Sequence, residues 1–302
     1  MTKRLFLFAS YDKNNVVDDM VIHYIKHLST LGDVIFVMDN DVPQSELKKI
    51  KNIDNVLYAN ASKHNEYDFG SYKRGYIWAK DNKILQKYDW IYLVNDSVYG
   101  PLNPLNNILS DLESRGADEI GMVENAEEFH PVHIQSWFLG VSKNIFSKKF
   151  FDDFMLNIKH EDCKWDIITK YEVRLSRLIL RQGFNFSAFI KNSVKGKKNI
   201  IYAHPISALI NGVPFIKKAA LGFVPSQALL NAHTDFPDII DKIFCNIKKD
   251  DISMTGDMGN KYIKKFRLSF IAVPVFSVRK KIAYKEYKVY LFDKIPILKI
   301  SK

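Results

Sequence analysis

Residues 65–101 run Asn65-Glu66-Tyr67-Asp68-Phe69-Gly70-Ser71-Tyr72-Lys73, then a helical stretch, then Asp89-Trp90-Ile91-Tyr92-Leu93-Val94-Asn95-Asp96-Ser97-Val98-Tyr99-Gly100-Pro101. A polar loop opens a helix over 71–86, carried by Tyr72, Tyr76, Ile77, Trp78, Ala79, Ile84 and Leu85. Trp90 to Val94 is a continuous apolar run, the pattern of a strand buried on both faces of a parallel sheet. That strand ends in a carboxylate and a turn. Ligands of open α/β sheets bind outside the carboxyl ends of the strands. Asp96 therefore stands where a functional carboxylate is expected, with Asp68 and Lys73 near it.

The same alternation continues on both sides. Arg4 to Tyr11 and Val34 to Met38 read as buried strands, and Val56 to Ala59 as a third, short one. Between them lie a helix over Val16 to Leu31, stopped by Gly32, and a short one over Pro43 to Ile50. Strand, helix and strand in turn imply a parallel sheet with right-handed crossovers. Downstream come a helix over Leu105 to Ser114 and a strand over Glu119 to Val123. His133 to Val141 reads as a strand and Asn144 to Leu156 as a helix. Trp165 to Arg181 is an amphipathic helix ended by Gly183, and Phe184 to Ile190 a strand. Ser193 to Lys198 reads as a loop. Residues 200–247 read as helical pieces broken at Pro205, Gly212-Val213-Pro214 and Pro225, with a last helix from Pro237. Asp250 to Gly259 looks like a linker. The expected division is 1–192 as the nucleotide-sugar-binding and catalytic domain, 193–260 as a helical extension on the acceptor side, and 261–302 as a basic tail.

With 302 residues, 47% of them hydrophobic, the chain can bury a substantial core. Its two cysteines, Cys163 and Cys245, have neither metal-ligand spacing nor the density of a disulfide framework, which fits a reducing cytosol. The apolar run after Arg4 is too short for a signal-peptide core, and no run is long enough to span a membrane. The net charge of +10 is carried by residues 261–302, which hold 12 Lys and Arg against Glu286 and Asp293; the rest is neutral. A neutral body argues against a nucleic-acid protein. A basic tail interleaved with aromatics suits an anionic membrane surface, or is simply a solubilising tail.

Four groups can carry chemistry. In Asn95-Asp96-Ser97, the strand-end carboxylate can hold Mg²⁺ or Mn²⁺ against a diphosphate, or can cap the turn. One carboxylate is a sparse metal site. In Tyr67-Asp68-Phe69-Gly70-Ser71-Tyr72-Lys73, Asp68 is either an N-cap or part of an anion and sugar-nucleotide site at a helix start. In the stretch from His130 to Phe138, the polar His133, Gln135 and Ser136 flank Trp137, an aromatic that can stack on a sugar, while His130 reads as structural. Glu172 lies on an amphipathic helix; pointing into a cleft, its raised pKa suits a general base. Among the charged neighbours, solvation is the default for Glu124, Glu127 and Glu128. No Walker loop, nucleophile elbow or Gly-x-Gly-x-x-Gly is present.

In this order, these stretches and the Tyr171-Glu172-Val173 that follows resemble the rhamnan synthesis protein F family, over about Tyr11 to Phe189. The resemblance implies a GT-A-like α/β fold and a bacterial cell-surface glycosyltransferase. Tyr67, Asp68, Gly70, Lys73, Asn95, Asp96, Ser97, Gln135, Ser136 and Trp137 would bind the donor. Glu172 and His133 would be catalytic, with Glu172 the base of an inverting transfer. Asp96 would be the metal ligand, in place of a family Asp-x-Asp. The implied reaction transfers L-rhamnose from dTDP-rhamnose to a lipid-linked polysaccharide or O-antigen acceptor, at the inner face of the cytoplasmic membrane. The alternatives are galactose, galactofuranose or glucose transfer, or a non-catalytic scaffold that binds glycan or membrane.

Overall fold

The structure is a computed structural model that describes residues 2–126, 130–191, 199–223, 234–236 and 238–243, and the strands at 266–270, 273–281, 286–291 and 295–301. Glu127, Glu128, Pro225, the expected loop at 193–198 and the expected linker at 250–259 lie outside the described residues. The chain divides into two units, Met1–Ile243 and Phe244–Lys302.

The first unit begins with β1 (Arg4–Ser10), α1 (Asp19–Ser29), β2 (Asp33–Met38), α2 (Gln44–Lys51) and β3 (Val56–Ala61). Next come α3 (Tyr67–Asp81), β4 (Trp90–Asn95), β5 (Val98–Tyr99), α4 (Asn106–Ser114) and β6 (Glu119–Asn125). Then follow β7 (His133–Ile134), β8 (Phe138–Ser142), α5 (Lys143–Phe146), α6 (Lys149–Leu156) and α7 (Lys164–Ile167). A π-helical segment (Ile168–Val173), α8 (Arg174–Arg181), β9 (Phe186–Ile190), α9 (Ile200–Ala203), α10 (Pro205–Ile210) and β10 (Ile216–Lys217) complete the site-bearing part. The main sheet runs β3-β2-β1-β4-β8-β6-β7, with β9 on β6. The first four strands are parallel; β8 is antiparallel to both β4 and β6. The α/β class and the mostly parallel sheet flanked by helices are as expected.

Every residue of β1 is buried, and the alternation of its side chains divides the core in two. Phe6 and Phe8 pack with Phe36, Tyr24, Leu28 and Leu109 on the face covered by α1 and α4. Leu5 and Leu7 pack with Ile35, Tyr72, Tyr76 and Phe151 on the face covered by α3 and α6. Each such side chain contributes about 1.5–3 kcal/mol on burial. At the amino edge, Arg4 makes a two-pronged pair with Glu113 at 2.6 and 2.7 Å, and Tyr92 donates to the same carboxylate at 2.6 Å.

Several boundaries differ from the sequence reading, each for a local reason. The helix after the polar loop starts at Tyr67 rather than Ser71 and stops at Asp81, where the Asn82 side chain donates to the Trp78 carbonyl at 2.8 Å. Asp68 is inside this helix and does not cap it. The expected strand from His133 to Val141 is two strands separated by Gln135-Ser136-Trp137, because Ser136 is drawn off to bond Glu172. The long amphipathic helix contains a π-helical segment, a local irregularity common at functional positions. Residues 216–217, read as part of a helical region, form a strand antiparallel to β5, with Ile216 opposite Tyr99 and Lys217 opposite Val98.

In the second unit, β11 (Phe266–Phe270), β12 (Val273–Lys281), β13 (Glu286–Leu291) and β14 (Ile295–Ser301) form an antiparallel meander. The sequence reading assigned no strands to this tail, although Tyr287-Lys288-Val289-Tyr290-Leu291 carries the β-branched and aromatic residues that favour them. Among the described residues, no helix is long and apolar enough to cross a membrane.

The β5–β10 pairing depends on Gly100. Its φ is +142°, and a Cβ there would meet the Pro214 carbonyl oxygen at 2.6 Å and the Phe215 ring at 2.7 Å. Gly100→Ala is expected to cost about 1–3 kcal/mol through strain and overpacking, measured by denaturant unfolding.

Candidate functional site

A cavity of about 390 Å³ opens at the carboxyl end of β4, and all four stretches singled out in the sequence reach it. Asn95 organises its floor. The amide Nδ2 donates to Asp68 Oδ2 at 2.8 Å, tying β4 to the first turn of α3. The amide oxygen accepts the Ser97 backbone N–H at 3.1 Å and the Ser97 hydroxyl as well. This fixes the amide's orientation, since the flipped form would set oxygen against carboxylate and N–H against N–H. Asp96, next in sequence, turns away; its Oδ2 accepts from the Ser10 hydroxyl at 2.8 Å and the Tyr11 N–H at 3.1 Å.

The opposite wall is the Gln135-Ser136-Trp137 turn. Ser136 donates its N–H to Glu172 Oε2 at 2.8 Å, and its hydroxyl donates to the same oxygen. The Tyr72 hydroxyl donates to the Ser136 carbonyl at 3.0 Å. Trp137 Nε1 donates to Gln135 Oε1 at 2.9 Å, which fixes the indole. Behind Glu172 lies His133, fully buried, with Nε2 3.4 Å from Glu172 Oε1 and Nδ1 donating to the Pro131 carbonyl at 2.8 Å. Burial lowers the pKa of His133, but the close carboxylate of Glu172 outweighs that and raises it overall. Burial would raise Glu172 in turn, but His133 and Ser136 outweigh it and hold the carboxyl below its usual value. The raised pKa expected of Glu172 is therefore corrected. It is an ionised group held by the Ser136 N–H, the Ser136 hydroxyl and His133, and it anchors the turn.

The raised carboxyls are elsewhere. Burial, then the nearby Asp96, push Asp68 up to about 6. Burial pushes Glu119 up to about 8; this residue lies beneath the site and accepts the Ser176 hydroxyl at 2.6 Å.

Lys217 enters from β10 and was not anticipated. It is 8% exposed, and its ammonium donates to Ser97 Oγ at 2.6 Å, 5.4 Å from the Trp137 ring centroid and 5.9 Å from that of Tyr202. Burial lowers its pKa to about 8 against the pull of Glu172 and Asp68. Its only sequence signal was a lysine after an apolar Val213-Pro214-Phe215-Ile216 run. The side-chain oxygen of Asn199, also lining the cavity and buried, has no hydrogen-bond partner among the described residues.

A second cavity, of about 530 Å³, adjoins the first through Tyr67 and Asp68 and lies over the ends of β1 and β2. Tyr11 and Tyr67 stand exposed at its rim. Asp39 Oδ1 holds the loop beneath it by accepting the N–H groups of His64 and Asn65 at 2.6 and 2.9 Å. Four of the sequence-selected residues line neither cavity: Asp96 and His133, already placed above, and Lys73 and Gly70. Lys73 donates its ammonium to the Ile158 carbonyl at 2.5 Å. Gly70 is packed against Glu66 and His64, where a Cβ would come within 2.2 Å of the Glu66 Cβ.

The model of the rhamnan synthesis protein F family matches residues 34–299. The chain belongs to this family. An uncharacterized protein of Sinorhizobium fredii is 22% identical over 195 residues, covering 63% of this chain and 50% of that protein. The chain thus spans about half the length of that curated relative. Among solved structures, a glycosyltransferase involved in glycosylation of the major capsid of PBCV-1 is 10% identical, with a TM-score of 0.34 over 71% of this chain and 92% of that one. The glycosyltransferase GlyE of Streptococcus pneumoniae is 10% identical, with a TM-score of 0.37 over 84% of this chain and 64% of that one. Both likenesses are distant.

For this member of the rhamnan synthesis family, the residues present fit a resident divalent cation poorly. One oxygen of Asp96 and one of Asp68 are already engaged by protein donors, and an ammonium stands beside Ser97. Among the described residues, no three His, Cys, Asp or Glu side chains cluster as a metal site.

Two outcomes are expected. Glu172→Ala leaves the buried His133 without its counter-charge and costs about 3–5 kcal/mol, read from denaturant midpoints. Glu119 is held above its unfolded pKa, so its contribution to stability is complete below the ordinary carboxylate range and is lost as pH rises through about 8. Glu119→Gln should flatten the fall in melting temperature between pH 4.5 and about 8.

Proposed function

We propose that the chain is a glycosyltransferase that takes a sugar from a nucleoside-diphosphate donor, L-rhamnose from dTDP-rhamnose being the leading candidate. The acceptor in this reading is a lipid-linked cell-surface glycan, and the basic C-terminal unit meets the anionic membrane. The observation that carries the reading is the convergence, in one cavity at the carboxyl end of β4, of polar groups from four separated stretches. Rhamnan is a rhamnose polymer, so membership of its synthesis family supports the choice of sugar.

In this reading the nucleoside occupies the cavity over β1 and β2, between Tyr11 and Tyr67, and the sugar the neighbouring one against Trp137. An indole face and the amides of Gln135 and Asn199 suit a sugar that has both apolar and polar surfaces. Asp68 lies between the two cavities. With its pKa lifted to about 6 by burial and then Asp96, it is better matched to taking the acceptor's hydroxyl proton near neutral pH than Glu172 is. Glu172 and His133 then serve the reaction by fixing the turn that carries Gln135 and Trp137.

Calorimetric titration with dTDP-, UDP- and GDP-sugars tests the reading. One donor class should bind, and Trp137→Ala and Asn95→Asp should each weaken it at least about tenfold, a loss of roughly 1.4 kcal/mol. Absence of binding by all three, with and without Mn²⁺, would leave the scaffold reading in its place.

A further inference from the structure

We infer that Lys217 is the cation that neutralises the donor's diphosphate, so that this transferase binds nucleoside diphosphates without a divalent metal. This deepens the nucleotide-sugar reading and rests on it.

A departing nucleoside diphosphate carries negative charge that something in the site must balance. A metal held by strand-end carboxylates is one solution. Here the position after β4 is built otherwise. The first residue of the tripeptide is Asn95, and its amide is committed as donor to Asp68 and acceptor from Ser97. An aspartate at 95 could not make the first of these bonds. Asp96 is turned toward Ser10 and Tyr11. Into the space beside Ser97 comes the Lys217 ammonium.

Three observations show that this lysine is placed rather than incidental. It is 8% exposed, which a lysine avoids unless it is matched. Its backbone is fixed by the pairing of β10 with β5, reinforced by Lys218 N–H donating to the Ser97 carbonyl at 3.0 Å, so the ammonium cannot swing far. It lies over Trp137 and Tyr202, whose ring faces stabilise a cation in the absence of an anion. The charged groups around it are Asp68, Asp96, Glu172 and Lys164. One acid, Glu172, is paired with His133 and another, Asp68, is held by Asn95, and among the described residues neither forms an ion pair with the ammonium. An ammonium has three donors, one of them used on Ser97, leaving two for phosphate oxygens. The site is near the Tyr67 and Asp68 wall shared by both cavities, where the diphosphate of a donor spanning the two would lie.

The test is calorimetry on the full chain with UDP, dTDP and GDP, each in EDTA and in Mn²⁺, followed by Lys217→Met and Lys217→Arg. Melting curves check that each variant folds. Binding of the preferred diphosphate by the unaltered protein should agree within about threefold between EDTA and Mn²⁺. Lys217→Met should weaken it at least about thirtyfold, roughly 2 kcal/mol, while affinity for the corresponding nucleoside changes less than threefold. Lys217→Arg should recover part of the loss. Binding that requires Mn²⁺ in the unaltered protein overturns the inference, whatever the variants do. So does metal-free binding that Lys217→Met leaves intact. Failure of every diphosphate to bind in either condition refutes the nucleotide-sugar reading itself, and the inference with it.

Discussion

The Asn95 side chain is the constraint on which the site depends. One amide joins three pieces of chain that are distant in sequence: it donates to the start of α3, accepts from the turn after β4 and, through Ser97, reaches β10. Buried at the end of a central strand, the amide cannot exchange these partners for water, so leaving any one unmade carries the full desolvation cost. This also explains an asparagine where an aspartate would be the obvious metal ligand. The partner across the gap is itself a carboxylate, and only a group that can donate is tolerated there.

Around this hub the charges are sorted by their neighbours. Glu172 and Glu119 are both buried acids beside His133, yet they move in opposite directions. Glu172 meets an imidazole nitrogen and two donors from Ser136, while Glu119 meets a single hydroxyl and an apolar surround. Burial acts on both; the count of donors decides the sign. A sequence shows two glutamates of equal standing and cannot show this difference, because the donors come from distant residues, Ser136 36 positions from Glu172 and Ser176 57 positions from Glu119.

Much of the fold was legible because it follows from local pattern. The apolar runs of β1, β2 and β4 and the helical spacing of α1 and α3 each point to one element, and their alternation to one sheet. What was not legible came from partners distant in the chain. The break at Gln135-Ser136-Trp137 is caused by Glu172, the antiparallel course of β8 by its pairing with β4 and β6, and the strand at Ile216–Lys217 by Val98–Tyr99. The site divides the same way. Asp68, Asn95 and Ser97 were readable as polar groups at element ends, Gln135, Ser136 and Trp137 as a polar and aromatic run, and Glu172 as a carboxylate on an amphipathic helix, and all line one cavity. Lys73, chosen for its charge near a helix start, points to Ile158 because helical geometry turns it from the cavity. Lys217 was missed because a lone lysine in a mixed segment has no periodicity to betray it.

The short β5–β10 ribbon separates what holds the sheet together from what equips it. Strands β1 to β4 and their helices share one face of their core with Ile200, Ile201, Ala208, Val213 and Phe215, while the Lys217 ammonium arrives 120 residues after Ser97 on two paired residues. On the proposed nucleotide-sugar reading, changes at the cavity-lining Asn199, Tyr202 and Lys217 would retune which donor is accepted, while the apolar residues of the same segment stay bound to the core. Relatives that share the sheet need not share a sugar, and divergence in specificity is to be sought first in that segment rather than in the strand-end motif.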